Sequence, residues 1–436
     1  MNAYRAQLLR FDTDGTPLYE SDGLLVVGLG TDGVQRVVDA GPYRTVAARH
    51  PQVAVTHWPD RLIAPGFIDM HVHYPQTDII GAPADGLLPW LENYTFPAET
   101  RFAQPAYAAE VANVFFSELL RHGVTTALAF ATTHPASVDA FFQGAQKRGL
   151  RMISGKVLQD RHSPDGLRDE TEQSLIDSET LIQRWHGQGR LGYAITPRFA
   201  PTSTDAQLRG AGELAARHPD TWIHSHVAEN RDEVRWVREL FPQARSYVDV
   251  YRGFGLLRER AVYAHCIHLD DADRALMRDT GAVAAVSPTS NLFLGSGFFD
   301  YEGAERIGMR HGLASDVGGG TSLAMLRTMA DAYRVQALAG ERLTAWKALH
   351  AATRGAALAL GLADELGTLD AGRIADVCVW DWALGPVAER RLEVARELHE
   401  RVFAWIMLGD ERNLAAAYVG GVCRHARQRQ GESGTG

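Results

Sequence analysis

Two histidines, His71 and His73, stand two residues apart inside the apolar run 67–73. The run is typical of a buried β-strand, in which side chains at positions i and i+2 leave the same face. Two residues of strand rise by about 6.6 Å, so both imidazoles can reach one metal ion at about 2.0–2.1 Å. The spacing favours a metal-dependent enzyme, although two hydrogen-bonded histidines at a strand end would give the same pattern.

Three further apolar runs end in residues that bind metals or transfer protons. The run that begins at Thr221 ends in His226, with Glu229 three residues later, and two other runs end in His265 and Asp316. Three imidazoles and one carboxylate form a suitable ligand set for zinc or iron. A fourth histidine and a glutamate then remain for proton transfer.

Each of these residues also has a purely structural interpretation. His226 could be a core histidine, Glu229 the first-turn acid of a helix, and Asp316 a helix N-cap. His224 lies on the same strand face as His226 and competes with it for the ligand role. We prefer His226 because it lies nearer the end of the strand, and the joint placement at four strand ends favours a metal site.

Beyond Pro65, strand-length apolar runs alternate with helical segments, which indicates repeated βα units and a parallel sheet. The predicted strands begin near Phe67, Val124, Met152, Tyr193, Thr221, Val262, Ala282 and Leu313. Predicted helices between them include Pro105–His122, Val138–Arg148 and Ala206–Arg217. Eight such units predict an α/β fold of the TIM-like (β/α)8 barrel type, in which functional side chains gather at the carboxyl ends of the strands.

Short β-rich runs separated by turn signals precede the barrel, and similar runs follow it. We therefore predict a small β-sandwich domain built from residues 1–64 and 366–436 around a catalytic barrel of residues 65–365. A helical insertion is expected near residues 387–408, before a last strand near residues 416–423. The polar tail from Arg424 to Gly436 is expected to be frayed.

The composition is that of an ordinary globular protein, with 45% hydrophobic and 22% charged residues. A formal charge of −9 without a basic stripe argues against a nucleic-acid partner. Cys266, Cys378 and Cys423 form no C-x-x-C pair, which argues against a zinc ribbon or a disulfide framework and indicates a reducing compartment, the cytoplasm. No apolar run approaches the length of a membrane span, so no membrane partner is expected.

The motifs around these residues resemble the amidohydrolase superfamily over essentially the whole chain, and finer motifs resemble its guanine deaminases. They are PGFIDMHVH (65–73), HYPQ (73–76), LENYTFPAE (91–99), TPRF (196–199), HVAENRDE (226–233) and SNL (290–292). The resemblance implies one divalent metal per subunit, zinc or alternatively ferrous iron. It also implies a homodimer. The implied metal ligands are His71, His73, His226 and Asp316.

The same resemblance implies hydrolysis of guanine, a small purine, to xanthine and ammonia by a metal-activated water. Glu229, His265 and Asp316 are the implied catalytic residues, with Glu229 carrying the proton of the water to the ring. Arg198 and Gln76 match the residues that recognise the O6 atom. The residues implied to contact the substrate are His73, Gln76, Arg198, Phe199, His226, Glu229, His265 and Asp316.

Two other types of metal site are disfavoured. The cytidine-deaminase type needs H-x-E with a downstream P-C-x-x-C, and the sequence lacks the second element. Binuclear amidohydrolases commonly carry a bridging lysine at the end of strand four, whereas this strand runs into Pro197 and Arg198. One metal is therefore expected, and Lys156 in predicted strand three is interpreted as structural. Two alternatives stay open: a related deaminase of 8-oxoguanine, cytosine or a triazine, and a non-catalytic scaffold.

Overall fold

The computed structural model describes residues 1–427. The β-strands are β1 (Asn2–Phe11), β2 (Pro17–Leu29), β3 (Gln35–Pro42), β4 (Val55–Pro65), β5 (Phe67–His73), β6 (Val124–Phe130), β7 (Arg151–Gly155), β8 (Val157–Leu158), β9 (Leu191–Pro197), β10 (Trp222–Val227), β11 (Ala261–His265), β12 (Val283–Val286), β13 (His311–Leu313), β14 (Val377–Trp380), β15 (Leu414–Val419) and β16 (Val422–Ala426).

The α-helices are α1 (Tyr43–Arg49), α2 (Leu87–Trp90), α3 (Phe96–Thr100), α4 (Pro105–Arg121), α5 (Pro135–Arg148), α6 (Thr171–Trp185), α7 (Asp205–Arg217), α8 (Arg231–Leu240), α9 (Tyr247–Gly253), α10 (Asp271–Thr280), α11 (Pro288–Phe293), α12 (Tyr301–Ile307), α13 (Met325–Leu338), α14 (Ala345–Ala351), α15 (Arg354–Ala359), α16 (Pro386–Glu393) and α17 (Leu398–Leu408). A π-helical turn spans Leu91–Thr95, and short 3₁₀ helices span Tyr74–Ile79, Arg101–Ala103, Ala200–Thr202 and Glu411–Asn413.

Within residues 1–427, eight parallel strands form a nearly closed barrel in the order β5-β6-β7-β9-β10-β11-β12-β13, and β8 pairs with β9. Every residue of β5, β6 and β9 is buried, as expected for parallel strands that are covered on both faces. Each strand begins within two residues of its predicted start. The predicted fold class is confirmed.

The first and last barrel strands meet through main-chain hydrogen bonds just past the end of β13. The amide of Asp316 donates to the carbonyl of His71 at 2.8 Å, and the amide of His73 donates to the carbonyl of Val317 at 2.6 Å. Below this point apolar side chains fill the barrel, so the interior is a packed core rather than a channel. They include Ile68, Met70, Leu128, Ile153, Trp222, Val262 and Val283.

Strands from both ends of the chain form one separate sheet in the order β16-β15-β14-β4-β1-β2-β3. Main-chain bonds join β3 to the segment just before β14, from Val37 N to Arg373 O at 2.8 Å and from Ala375 N to Gln35 O at 3.0 Å. The sheet therefore curls back on itself around a small core of its own. The division into domains at residues 64/65 and 365/366 stays a prediction.

Two features of the C-terminal segment bear on the predictions. Helices α16 and α17 occupy the predicted helical insertion. The expectation of fraying from residue 424 is wrong for residues 424–426, because His425 and Ala426 pair with β15. Residues 428–436 of that tail lie outside the described residues. In residues 1–427 every helix is too short or too polar to cross a membrane.

Candidate active site

The carboxyl ends of four barrel strands bring three histidines and one aspartate together. One nitrogen each of His71, His226 and His265 and one oxygen of Asp316 lie within 4.8 Å of one another. These residues lie in β5, β10 and β11 and just after β13, and parallel strands of a barrel all end at one rim. The fold therefore assembles the residues that the sequence places at separate strand ends.

Hydrogen bonds at the far side of two imidazole rings orient them. His226 Nδ1 donates to the carbonyl oxygen of Arg198 at 2.7 Å, and His265 Nδ1 donates to Asn291 Oδ1 at 2.9 Å. Because the proton of each neutral ring is on Nδ1, Nε2 carries the lone pair. Such partners set the tautomer of metal-binding histidines.

His73 joins the same cluster through its Nε2 atom. This atom lies 3.0 Å from His71 Nε2, 3.3 Å from His226 Nε2 and 3.3 Å from Asp316 Oδ1. His71 Nε2 in turn lies 3.0 Å from Asp316 Oδ1. Lone pairs that converge this closely are stabilised by a cation among them, and nitrogen and carboxylate donors suit zinc or ferrous iron. The donor set therefore fits a divalent metal ion.

The protonation states of the cluster are those that a metal requires. Burial lowers the pKa of His73 to about 4 and holds the pKa of His226 well below its ordinary value. Burial opposes ionisation of Asp316, but the adjacent His71 and His73 outweigh it and hold the carboxyl pKa well below its usual range. Neutral imidazoles and an ionised carboxylate are the forms that bind metals.

Glu229 lies buried beside this cluster with its carboxylate held on both sides. Its Oε1 accepts a hydrogen bond from Ser296 Oγ at 2.8 Å, and its Oε2 lies 3.4 Å from His265 Nε2. Burial, reinforced by the charge of Asp316, raises the pKa of Glu229 to about 8. A carboxyl group with a pKa near neutrality is suited to accept a proton and return it.

Left-handed backbone conformations occur at three of the strand ends that form the site. The φ angles are 51° at Ala228, 72° at His265 and 49° at Asp316. Residues other than glycine adopt this conformation at a cost of about 1–2 kcal/mol. Strain of this kind clusters at functional sites because the surrounding structure must hold it.

Arg198 and Gln76 line the same cavity as His73, His226, Glu229, His265 and Asp316. Arg198 follows β9 and is 2% exposed, and Gln76, in the 3₁₀ helix after β5, is equally buried. Both side chains donate hydrogen bonds to Glu99 of α3. The two predicted substrate-recognition residues therefore lie together at a single buried carboxylate.

One cavity contains both the cluster and the predicted recognition residues. All eight residues predicted to contact a substrate line it, and His71 is fully buried within the cluster. Its apolar lining residues are Leu87, Trp90, Leu91, Phe199 and Leu294.

The segment after β5 contributes two aromatic residues near the cavity. Trp90 lies in α2, and Phe96, the first residue of α3, has its ring centroid 5.2 Å from the Arg198 guanidinium. The segment after β5 is thus largely helical, and its side chains line the cavity.

Several contacting residues were not predicted. His224, which competed with His226 in the sequence, places its Nε2 atom 2.7 Å from His71 Nδ1 rather than in the cluster. Asp69 Oδ1 accepts the amides of His71 and Ser315 at 3.2 and 2.9 Å. Glu99, Asn291 and Asp69 all lie within the motifs that carried the family resemblance. Their position in these motifs was the one sign in the sequence that they contribute to the site.

Lys156 forms an ion pair with Asp169, with 2.6 Å between Nζ and Oδ1, beside β7 and β8.

The family model described as the amidohydrolase family matches residues 62–423. The chain belongs to the amidohydrolase family. Within the family, it is 41% identical over 416 residues to the guanine deaminase of Escherichia coli strain K12, covering 95% of this chain and 92% of that protein. The resemblance predicted from the motifs is confirmed.

Two solved structures extend the comparison. The E. coli guanine deaminase superposes with a TM-score of 0.95 at 40% identity, over 98% of this chain and all of that chain. A guanine deaminase from C. acetobutylicum with bound guanine in the active site superposes with a TM-score of 0.89 at 28% identity. That match covers 97% of this chain and 99% of that chain.

Proposed function

We propose that this protein is a guanine deaminase, which hydrolyses guanine to xanthine and ammonia. One observation carries the proposal: a single cavity is lined both by the metal-binding cluster with Glu229 and by the donors of Arg198 and Gln76. The cluster and Glu229 suit hydrolysis of a carbon–nitrogen bond, and the two donors suit recognition of a ring carbonyl. The similarity to guanine deaminases in sequence and structure supports the same activity.

The metal ligands in this proposal are His71, His73, His226 and Asp316, which would hold one zinc ion, or alternatively one ferrous ion, per subunit. A bound ion of this kind lowers the pKa of a coordinated water from about 15.7 to about 7. The convergence of three imidazole nitrogens and the Asp316 carboxylate supports this assignment.

Side chains of the protein carry out the proton transfers. Water oxygen adds to C2 of guanine while Glu229 takes the proton of the water and delivers it to N3. The proton of the new hydroxyl group at C2 then passes through Glu229 to the exocyclic amine. Collapse of the tetrahedral carbon forms the C2 carbonyl, breaks the bond from C2 to the exocyclic nitrogen and releases ammonia. His265 and Asp316 orient the water through hydrogen bonds, and Asn291 fixes the His265 ring for this role.

Specificity follows from the hydrogen-bond donors of Arg198 and Gln76. Arg198 and Gln76 donate to the O6 atom of guanine, and Phe199 packs on the purine face. Adenine carries an amino donor at position 6, which would leave buried donors unpaired, so binding of adenine in the orientation of guanine is expected to be weaker by about 10⁴-fold. Adenine also has no amine at C2 to release. The other residues assigned to the substrate are His73, His226, Glu229, His265 and Asp316, which all line the cavity.

The test is a panel of purified substrates with ammonia as the readout: guanine, 8-oxoguanine, adenine, cytosine and an aminotriazine. We expect guanine to give the highest kcat/KM, with xanthine formed in equal amount to ammonia. Release of ammonia from cytosine or adenine but not from guanine would overturn the assignment of Arg198 and Gln76. A folded protein that binds no metal and releases no ammonia would support the scaffold alternative.

Two further proposals concern the protein as a whole. A reducing compartment, the cytoplasm, is supported by the buried and unpaired Cys266 and Cys378 in the described part of the chain. The homodimer implied by the family resemblance stays a prediction, which a molar-mass measurement by light scattering would test.

A further inference from the structure

Glu99 is a buried carboxylate that contacts two residues of the cavity lining, and the sequence alone assigns it no role. It is 1% exposed and lies on α3, in the segment that covers the site. Its Oε2 accepts a hydrogen bond from Arg198 Nη1 at 2.6 Å, and its Oε1 accepts one from Arg198 Nη2 at 3.1 Å. The guanidinium is therefore held by a two-point contact, which fixes both its position and its plane.

The same carboxylate also holds the second recognition residue. Glu99 Oε1 accepts from Gln76 Nε2 at 2.9 Å, while Gln76 Oε1 accepts from the amide of Gly318 at 3.1 Å. A flipped Gln76 amide would lose both bonds, so the amide orientation is set and its NH₂ end lies on the side of Arg198. One oxygen of Glu99 thus links both donors into a rigid unit.

The Glu99–Arg198 ion pair also determines the net charge next to the bound ligand. A lone buried guanidinium would favour an anionic ligand, whereas the Glu99–Arg198 pair leaves N–H donors with little net charge. Such donors suit the neutral carbonyl oxygen of a purine. Burying an ion pair seldom adds stability, so a role in recognition is the better reason for its presence.

We propose that Glu99 is a positioning residue that determines specificity for 6-oxo purines by holding Arg198 and Gln76 as one donor pair. The inference rests on the proposed function for the identity of the ligand, but its test reads out binding and does not require turnover. Glu99 itself acts through its two partners rather than on the reacting atoms.

The experiment compares two unreactive ligands that differ at position 6 and in the N1 proton that accompanies the 6-oxygen. Hypoxanthine carries the 6-oxygen and purine lacks it, and the dissociation constant of each is measured calorimetrically on metal-loaded protein and on its Glu99→Gln variant. Loss of a charged hydrogen-bond partner is expected to weaken hypoxanthine binding by about 10- to 100-fold. Purine binding should change by less than about threefold, since it makes no contact at position 6.

The matched control removes the acid of another buried ion pair. Lys156–Asp169 has a separation of 2.6 Å, and the Asp169→Asn variant should lower the Tm yet keep the wild-type ratio of the two dissociation constants. With guanine as substrate, Glu99→Gln should raise KM much more than it lowers kcat. A variant with a merely structural defect would weaken both ligands alike.

Equal weakening of hypoxanthine and purine, or unchanged binding of both, would overturn the inference. If the Glu99→Gln variant does not fold, Glu99→Asp serves instead, because it keeps the charge but withdraws it by one methylene. The ratio of the dissociation constant of purine to that of hypoxanthine should then fall by a smaller factor than expected for Glu99→Gln. An unchanged ratio would contradict the proposal. Failure of the proposed function would be seen separately, as absence of guanine turnover in the unaltered protein.

Discussion

His71 Nδ1 and His224 Nε2 lie 2.7 Å apart in the fully buried base of the site. For His71 Nε2 to offer its lone pair to the cluster, the proton must be on Nδ1 and must be donated to His224. The two histidines of β10 therefore have different positions. His226 lies in the cluster, whereas His224 lies outside it and contacts the far side of the His71 ring.

Alanine variants of these two histidines should separate their roles. His226→Ala removes a ligand, so we expect loss of both bound metal and activity. His224→Ala removes only the partner of His71, so metal should still bind, with affinity weakened by about 10- to 100-fold. The metal content of each purified variant, measured across a series of chelator concentrations, tests both expectations. If His224→Ala loses the metal and His226→Ala retains it, the two roles are exchanged.

Replacement of Glu229 should greatly reduce turnover while the site still binds the metal and a purine. Glu229→Gln keeps the shape and the bond from Ser296 but cannot take up a proton, so kcat should fall by about 10²–10⁴-fold. Metal content and the dissociation constant of hypoxanthine should stay near the wild-type values. Turnover at the wild-type rate would remove Glu229 from the mechanism.

Ser296 should affect the rate through its contact with the Glu229 carboxylate. Ser296→Ala deletes a charge-assisted hydrogen bond of 2.8 Å, so we expect kcat for guanine to fall by about tenfold while KM changes little. Ser117→Ala, on the exposed face of α4, deletes a hydroxyl far from the cavity and is the control. Equal kcat values for the two variants would show that Ser296 does not orient Glu229.

Glu233 should make stability depend on pH. Its Oε2 accepts the amides of Glu229 and Asn230 at 2.9 and 3.1 Å, and burial together with the Glu229 carboxyl raises its pKa to about 7. The folded state therefore binds more protons than the unfolded state between about pH 4.5 and pH 7. The contribution of Glu233 to stability consequently falls as the pH rises through this range.

Glu233→Gln removes this ionisation and keeps an oxygen for the two amides. The free energy of unfolding of the variant, relative to wild type, should rise between about pH 5 and pH 8 by on the order of 3 kcal/mol, from 1.36 kcal/mol per pKa unit. Urea unfolding at the two pH values measures it. Glu110→Gln, which removes an exposed carboxylate of α4, is the matched control. A pH-independent difference for Glu233→Gln would refute the assignment.

The sequence was sufficient to predict the barrel because its signals are local and repeated. Each strand is an apolar run of definite length, and parallel strands of a barrel end at one rim, so His71, His226, His265 and Asp316 could be expected to meet before any coordinates were known. The clustering of these four side chains agrees with that expectation.

The supporting contacts could not be predicted in the same way. Glu99 lies 99 residues from Arg198, and Ser296 lies 67 residues from Glu229, and both reach the site on segments outside the barrel strands. Their positions depend on how those segments fold over the rim. The left-handed conformations at Ala228, His265 and Asp316 likewise have no sequence signal, since glycine is the residue expected there.

The most direct test of the account measures metal content and guanine turnover on the same preparation, before chelation, after chelation and after restoring zinc or ferrous iron. We predict close to one equivalent of metal per chain, loss of xanthine formation in proportion to metal removed, and recovery when the metal is returned. A folded preparation that is free of metal and still converts guanine to xanthine at the original rate would contradict the account.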